Sequence, residues 1–268
     1  MTGEGQIEVL GGGAVNKVVR IGDTVRRSAG SWTPTVHALL RHLQAAGFHE
    51  APQVLGIDDE GCEVLSFLPG ETVGWTDWPA FMRGDEGLVQ LAATLRRYHD
   101  AVRGFVPPPD ARWRNPLAMA MRDAELVRHG DFSPFNTVWL GDRLTGVIDW
   151  DFAQPGSALD DLGYLAWYAV PLSGEARARE HGFGDELDRA YRLRVLAGAY
   201  GDVTSSDIVD GALAVIRTER EQMADLARRG LEPWTSFVAE GTLAGFDGEI
   251  AWIASHRHEL VAPDGSGV

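Results

Sequence analysis

The chain has 268 residues, 44% hydrophobic and 24% charged, enough to bury a large core in one domain or two modest lobes. A formal net charge of −15 argues against nucleic acid as a partner, because gripping a phosphate backbone needs a basic face. A lone cysteine (Cys62), an acidic start from Met1 to Glu8 that lacks a signal-peptide pattern, and an apolar stretch from Leu159 to Leu172 interrupted by Asp160, Asp161, Gly163 and Pro171 together predict a cytoplasmic protein with no membrane partner.

The chain opens on short segments rich in β-branched residues. Ile7–Leu10, Lys17–Ile21 and Thr24–Arg27 read as strands separated by glycine-containing turns. A helix follows, with Ser31 or Thr33 as its cap, Pro34 in its first turn, Val36, Leu39, Leu40 and Leu43 on one face, and Gly47 as its stop. Gln53–Ile57 and Glu63–Phe67 are two more strands, joined through Asp58-Asp59-Glu60-Gly61, and Pro69-Gly70 then breaks the chain. Beyond the break the pattern is mostly helical. Gly87–Val102 carries Leu88, Leu91, Leu95 and Tyr98 on one side, and Ile208–Arg229 has Ser206 as cap and Gly230 as stop. Leu126 to Phe152 is the exception and reads as strand, loop and β-hairpin. These elements predict an α+β chain of two lobes: a small β-rich lobe over residues 1–69, a hinge near 66–70, and a larger helical lobe over residues 70–268 with a hairpin set into it. A cleft between two lobes is a common place for a ligand.

The most informative run is Arg128-His129-Gly130-Asp131-Phe132-Ser133-Pro134-Phe135-Asn136. Apolar runs on either side of Gly141-Asp142 form a hairpin signal, with Asn136 just before the first strand and Asp149 just after the second. Antiparallel pairing brings those two ends together, with Asp131 on the loop leading in. One amide and one carboxylate suit magnesium, which takes oxygen ligands and leaves positions for phosphate and water. Asp131 is then free to accept a proton from a substrate hydroxyl.

His-Gly-Asp-x-x-x-x-Asn, a hairpin and Ile148-Asp149-Trp150 together resemble the aminoglycoside phosphotransferase and choline kinase-like family, whose fold is similar to that of protein kinases. The resemblance implies a bilobal kinase-like fold and transfer of a phosphoryl group from ATP or GTP to a small hydroxylated acceptor. That acceptor is an antibiotic such as an aminoglycoside, or a metabolite such as an amino alcohol or sugar. It makes Asp131 the base, Asn136 and Asp149 the Mg2+ ligands, and His129 a member of the catalytic set that supports the loop. It also implies that Asp161 braces the loop from beneath, and that the backbone of Ser66-Phe67-Leu68-Pro69-Gly70 meets the purine. A protein kinase is not expected, because no Ala-Pro-Glu follows Asp149.

The small lobe carries the nucleotide candidates. Gly11, Gly12 and Gly13 lie between two strands, where their amides can approach phosphates, although no Lys-Ser/Thr follows as in a Walker loop. Kinases place a lysine on the third strand and pair it with a helix glutamate. Here that strand reads Thr24-Val25-Arg26-Arg27. Strand alternation lets one arginine face the cleft, with Arg26 favoured and Arg27 the alternative. The glutamate's position falls at Val36, and nothing acidic lies between Pro34 and Gln44, so the ion pair is absent or His37 or another group replaces it. That gap motivates the competing reading, a nucleotide-binding pseudokinase. For the acceptor, Asp151 and Trp150 follow the metal ligand directly. Glu219, Glu221, Asp225, Trp234 and Glu240 are further candidates, and together they suit a cationic acceptor. Arg217, Arg220, Arg228 and Arg229 share the helix of Glu219, Glu221 and Asp225, which also reads as a solvated, charge-paired face.

Overall fold

The computed structural model describes residues 7–10 and 18–262; the glycine run 11–13 and Lys17 lie outside the described residues. Five strands, β1 (Ile7–Leu10), β2 (Val18–Ile21), β3 (Thr24–Ser28), β4 (Val54–Ile57) and β5 (Cys62–Ser66), form an antiparallel sheet in the order β1-β2-β3-β5-β4. The register sets Arg27 opposite Glu63 and Arg26 opposite Val64. Side chains alternate across a sheet, so Arg27 and Glu63 share one face and Arg26 takes the other.

Helix α1 (Thr33–Ala45) crosses between β3 and β4. Neither expected residue caps it. Trp32 occupies the cap position without a side-chain bond, and the Thr33 hydroxyl accepts from the Gly30 amide at 2.9 Å instead. Its buried Val36, Leu39, Leu40 and Leu43 join Leu88, Leu91, Leu95 and Tyr98 in one continuous core that runs through both lobes. Each fully buried leucine of this kind contributes roughly 1.5–3 kcal/mol.

The second lobe begins with β6 (Glu71–Thr72), α2 (Ala80–Arg83) and α3 (Asp85–Val102), the last carrying the apolar face expected for 87–102. Strands β7 (Leu126–Arg128), β8 (Thr137–Leu140), β9 (Arg143–Val147) and β10 (Gln154–Gly156) follow. The expected hairpin is β8–β9, with Thr137 opposite Val147 and β6 added at its edge. The pairing of β10 with β7 was not legible in sequence, because Gln154-Pro155-Gly156 has no strand composition of its own.

Helices α4 (Ala158–Ala169), α5 (Glu175–Glu180), α6 (Arg189–Tyr200), α7 (Ser205–Arg228), α8 (Trp234–Ala239) and α9 (Thr242–Leu260) complete the lobe. Capping boxes start α4 and α7: Ser157 with Asp160, and Thr204 with Asp207. Ser206, expected as the cap of α7, lies inside its first turn. Gly163 of α4 abuts the Gly211–Ala212 backbone of α7, a crossing too close for a side chain. Among the described residues no helix is long and apolar enough to cross a membrane.

His181 lies just after α5 and is fully buried, its ring stacked on Trp78 at 3.9 Å and neither nitrogen hydrogen-bonded. Burial, aided by Arg177, pushes its pKa down to about 4. A depressed histidine is neutral when folded yet charges near pH 6.5 when unfolded, so stability is lost as pH falls from 6.5 toward 4. His181→Phe removes that liability. The variant should gain about 2 kcal/mol over wild type at pH 5 relative to pH 7, read from urea unfolding at the two pH values.

Candidate active site

The loop between β7 and β8 is held from below by one buried carboxylate. Asp161, in the first turns of α4, accepts the His129 amide at 2.7 Å on Oδ2 and the Gly130 amide at 2.9 Å on Oδ1. His99 of α3 binds Oδ2 at 3.2 Å and is itself fixed by the Tyr200 hydroxyl at 2.7 Å. Burial alone would raise the pKa of Asp161, but the His99 contact and nearby positive groups outweigh it and hold the carboxyl below its usual range. Gly130 has φ 83°, and the Phe152 carbonyl lies where a β-carbon would stand, so only glycine fits.

His129 sits beneath the loop. Its Nε2 donates to the Ile148 carbonyl at 3.1 Å, while Nδ1 accepts the Asp131 amide at 3.2 Å. That tautomer is neutral, in keeping with a pKa lowered to about 4 by burial. His129 thus links the backbone of Asp131 to Ile148, just beyond the end of β9.

Asp131 and Asn136 are tied together, since the Asn136 amide nitrogen donates to the Asp131 carbonyl at 2.9 Å. The Ile148 amide donates to the Asn136 carbonyl at 2.9 Å, which brings the two ends of the hairpin into contact. Asp149 then takes a left-handed conformation, φ 60° and ψ 61°, just after the hairpin, with its carboxylate 3.4 Å from Arg27. Burial and the charge of Asp149 raise the Asp131 pKa to about 8, while the Tyr164 hydroxyl and Asn136 pull the other way. Burial, then Asp151, raises Asp149 as well.

Across the cleft, Arg27 of β3 replaces Arg26 as the inward cation. Arg26 points outward to Asp58 at 3.3 Å, as the register requires. Arg27 is buried and pairs with Glu63, with Asp151 at 2.7 Å and with Asp149 at 3.4 Å. Desolvation works to lower its pKa, but Asp151, Glu63 and Asp149 outweigh it and raise it. Glu63 therefore supplies the carboxylate missing from the helix. His37 of α1 holds it at 2.8 Å, and this bond and Arg27 lower its pKa against burial. Sequence reasoning missed Glu63, whose signal was a lone acid in the apolar strand Cys62-Glu63-Val64-Leu65 opposite Arg27.

The two acceptor candidates beside Asp149 are corrected. Trp150 is buried in the core, its indole donating to the Val147 carbonyl at 3.0 Å. Asp151 is also buried, clamped by Arg27 and by Arg114 at 2.7 Å. Neither is open to solvent. At the hinge, Ser66 and Phe67 give their amides to the carbonyls of Gln53 and Asp23 at 2.9 and 2.8 Å, and Phe67 lies under the Arg20 guanidinium.

The donor set fits a hard divalent cation. The Asn136 nitrogen is engaged, which leaves its Oδ1, and Asp149 is the most open carboxylate of the group at 44% side-chain exposure. Arg27 and Arg114 are the guanidiniums paired with Glu63, Asp149 and Asp151 on this side of the cleft.

A β-rich lobe over a helical one, with Asp131, Asn136 and Asp149 gathered at a hairpin mouth, defines a protein kinase-like small-molecule kinase. The chain belongs to the phosphotransferase enzyme family, whose model matches residues 6–128 and 110–194. The chain is 37% identical over 195 residues to the trifolitoxin immunity protein of Rhizobium leguminosarum bv. trifolii, covering 72% of this chain and 73% of that one. Among solved structures it resembles a choline/ethanolamine kinase family protein from Mesorhizobium loti, with a TM-score of 0.58 at 17% identity over 95% of this chain and 94% of that one. It also resembles APH(2")-IIIa in its GDP and kanamycin complex, with a TM-score of 0.55 at 17% identity over 94% of each chain.

Asp161→Ala strips the acceptor from two loop amides and from His99. The variant should lose about 3–5 kcal/mol of stability in urea unfolding. An unchanged midpoint would mean that the loop is held by something else.

Proposed function

We propose that the protein transfers the γ-phosphoryl group of ATP or GTP to a hydroxyl of a small antimicrobial compound. The observation that carries the reading is the tie between Asp131 and Asn136 on one loop with Asp149 at the far end of the same hairpin. Asn136 Oδ1 and the Asp149 carboxylate would hold Mg2+, which when bound supplies charge to offset the phosphates. Asp131 orients the acceptor hydroxyl and takes its proton as the oxygen attacks phosphorus in line with the departing nucleoside diphosphate.

Arg27 supports the phosphates from the small lobe, held in place by Glu63 and His37. The amides of Ser66 and Phe67 are spent on the sheet, which favours the Leu68 backbone as the purine contact. Glycines 11–13 remain candidates for covering the phosphates. Similarity to a protein named for immunity to a toxin supports an antimicrobial acceptor over a housekeeping metabolite.

Asp131→Ala should keep nucleotide affinity and lose turnover by at least about a hundredfold. Asp149→Ala should lose magnesium-dependent nucleotide binding. Calorimetry with each nucleotide, with and without magnesium, alongside a nucleotide-consumption assay checks both. Equal turnover by Asp131→Ala and wild type would remove the proposed base.

A further inference from the structure

An aromatic wall runs from the base to the surface. The Tyr164 hydroxyl faces Asp131, and the rings of Tyr164 and Tyr168 on α4 are 5.4 Å apart. Tyr168 meets Phe135 edge-on at 4.8 Å, and Phe135 belongs to the same short turn as Asn136. Trp75 lies on Phe135 nearly parallel, with centroids 4.1 Å apart and planes 23° apart, yet is 57% exposed.

The loop that carries Trp75 is pinned. The Trp78 indole donates to the Gly74 carbonyl at 2.9 Å. The Asp77 and Trp78 amides donate to the carbonyls of Glu180 and His181 at 2.8 and 3.1 Å. An indole that stacks on Phe135, meets Tyr168 edge-on at 6.4 Å and still leaves more than half of itself exposed thus stands beside the catalytic loop. Burying that surface against a ligand is favourable, and fixing it beforehand lowers the ordering cost of binding.

Three carboxylates near the wall are already matched. Asp151 is clamped by Arg27 and Arg114, Glu219 pairs with Arg128 at 3.3 Å, and Glu249 accepts the Trp167 indole at 3.0 Å with Arg177 at 3.8 Å. A polycationic acceptor would have to displace a guanidinium to pair with any of these three. A quaternary ammonium needs several ring faces converging on it, whereas Trp75 and Phe135 spend a face on each other.

On the reading of the site given above, we propose that the acceptor carries a planar aromatic or conjugated ring near its reactive hydroxyl, and that Trp75 is the surface on which this ring stacks. The ring lies on the free face of the indole while the hydroxyl reaches along Phe135 to Asp131.

The test is saturation-transfer NMR and titration calorimetry on the full chain with magnesium and ADP. The aromatic alcohols tyrosol and tryptophol are compared with 2-cyclohexylethanol, choline and kanamycin. Wild type should bind the two aromatic alcohols and show at least tenfold weaker binding to the other three. Trp75→Ala should weaken the aromatic alcohols at least tenfold, Trp75→Phe should restore most of that loss, and magnesium-dependent ADP affinity should stay the same in both variants. Three results overturn the proposal: no aromatic alcohol binding by wild type, aromatic binding unchanged in Trp75→Ala, or choline or kanamycin binding in preference to the aromatic alcohols. The underlying kinase reading fails on a different result, namely wild-type ADP binding that ignores both magnesium and Asp149→Ala.

Discussion

A single buried guanidinium joins the two halves of this protein. Arg27 reaches from the small sheet to Glu63 on the neighbouring strand and to Asp149 and Asp151 on the far side of the cleft. A cation removed from water must be matched by nearby anions, and its partners are stranded if it leaves. The position of β3, the turn after β9 and the Arg114 contact to Asp151 are therefore one coupled arrangement. His37 extends it to α1, whose apolar face is continuous with the core of the large lobe. The result is a substitute for the strand-to-helix ion pair of kinases, in which the acid moves to β5 and the helix contributes an imidazole.

The loop between β7 and β8 depends on a second buried anchor of the same kind. Asp161 satisfies two loop amides that would otherwise be unpaired in a dry interior, and His99 and Tyr200 fix its orientation. His129 then links the loop to the end of β9 by accepting on one nitrogen and donating on the other. The charge of Asp149 raises the proton affinity of Asp131, and that of Asp151 raises Asp149, a crowding of carboxylates that a bound divalent cation is suited to relieve. Arg27 and Asp161 do different jobs: one sets the distance across the cleft, the other sets the shape of the loop.

The sequence by itself determined the α+β fold class and the hairpin that carries Asn136 and Asp149 at its ends. The α+β order, the helical faces of α1 and α3 and the approach of Asn136 to Asp149 all follow from local periodicity and a two-residue turn, which act over a few neighbours. The brace at Asp161 was legible through its place in a familiar motif. Only the tertiary structure decided which arginine faces the cleft, since that choice turns on the pairing of β3 with β5, and one step of register exchanges Arg26 for Arg27. It likewise buried Trp150 and Asp151, because core packing and the reach of Arg114 from a distant loop are set by the packed chain. Trp75 gave no local signal for the same reason. Its neighbours, Phe135 and Tyr168, are distant in sequence and meet it only once α4 packs beneath the catalytic loop.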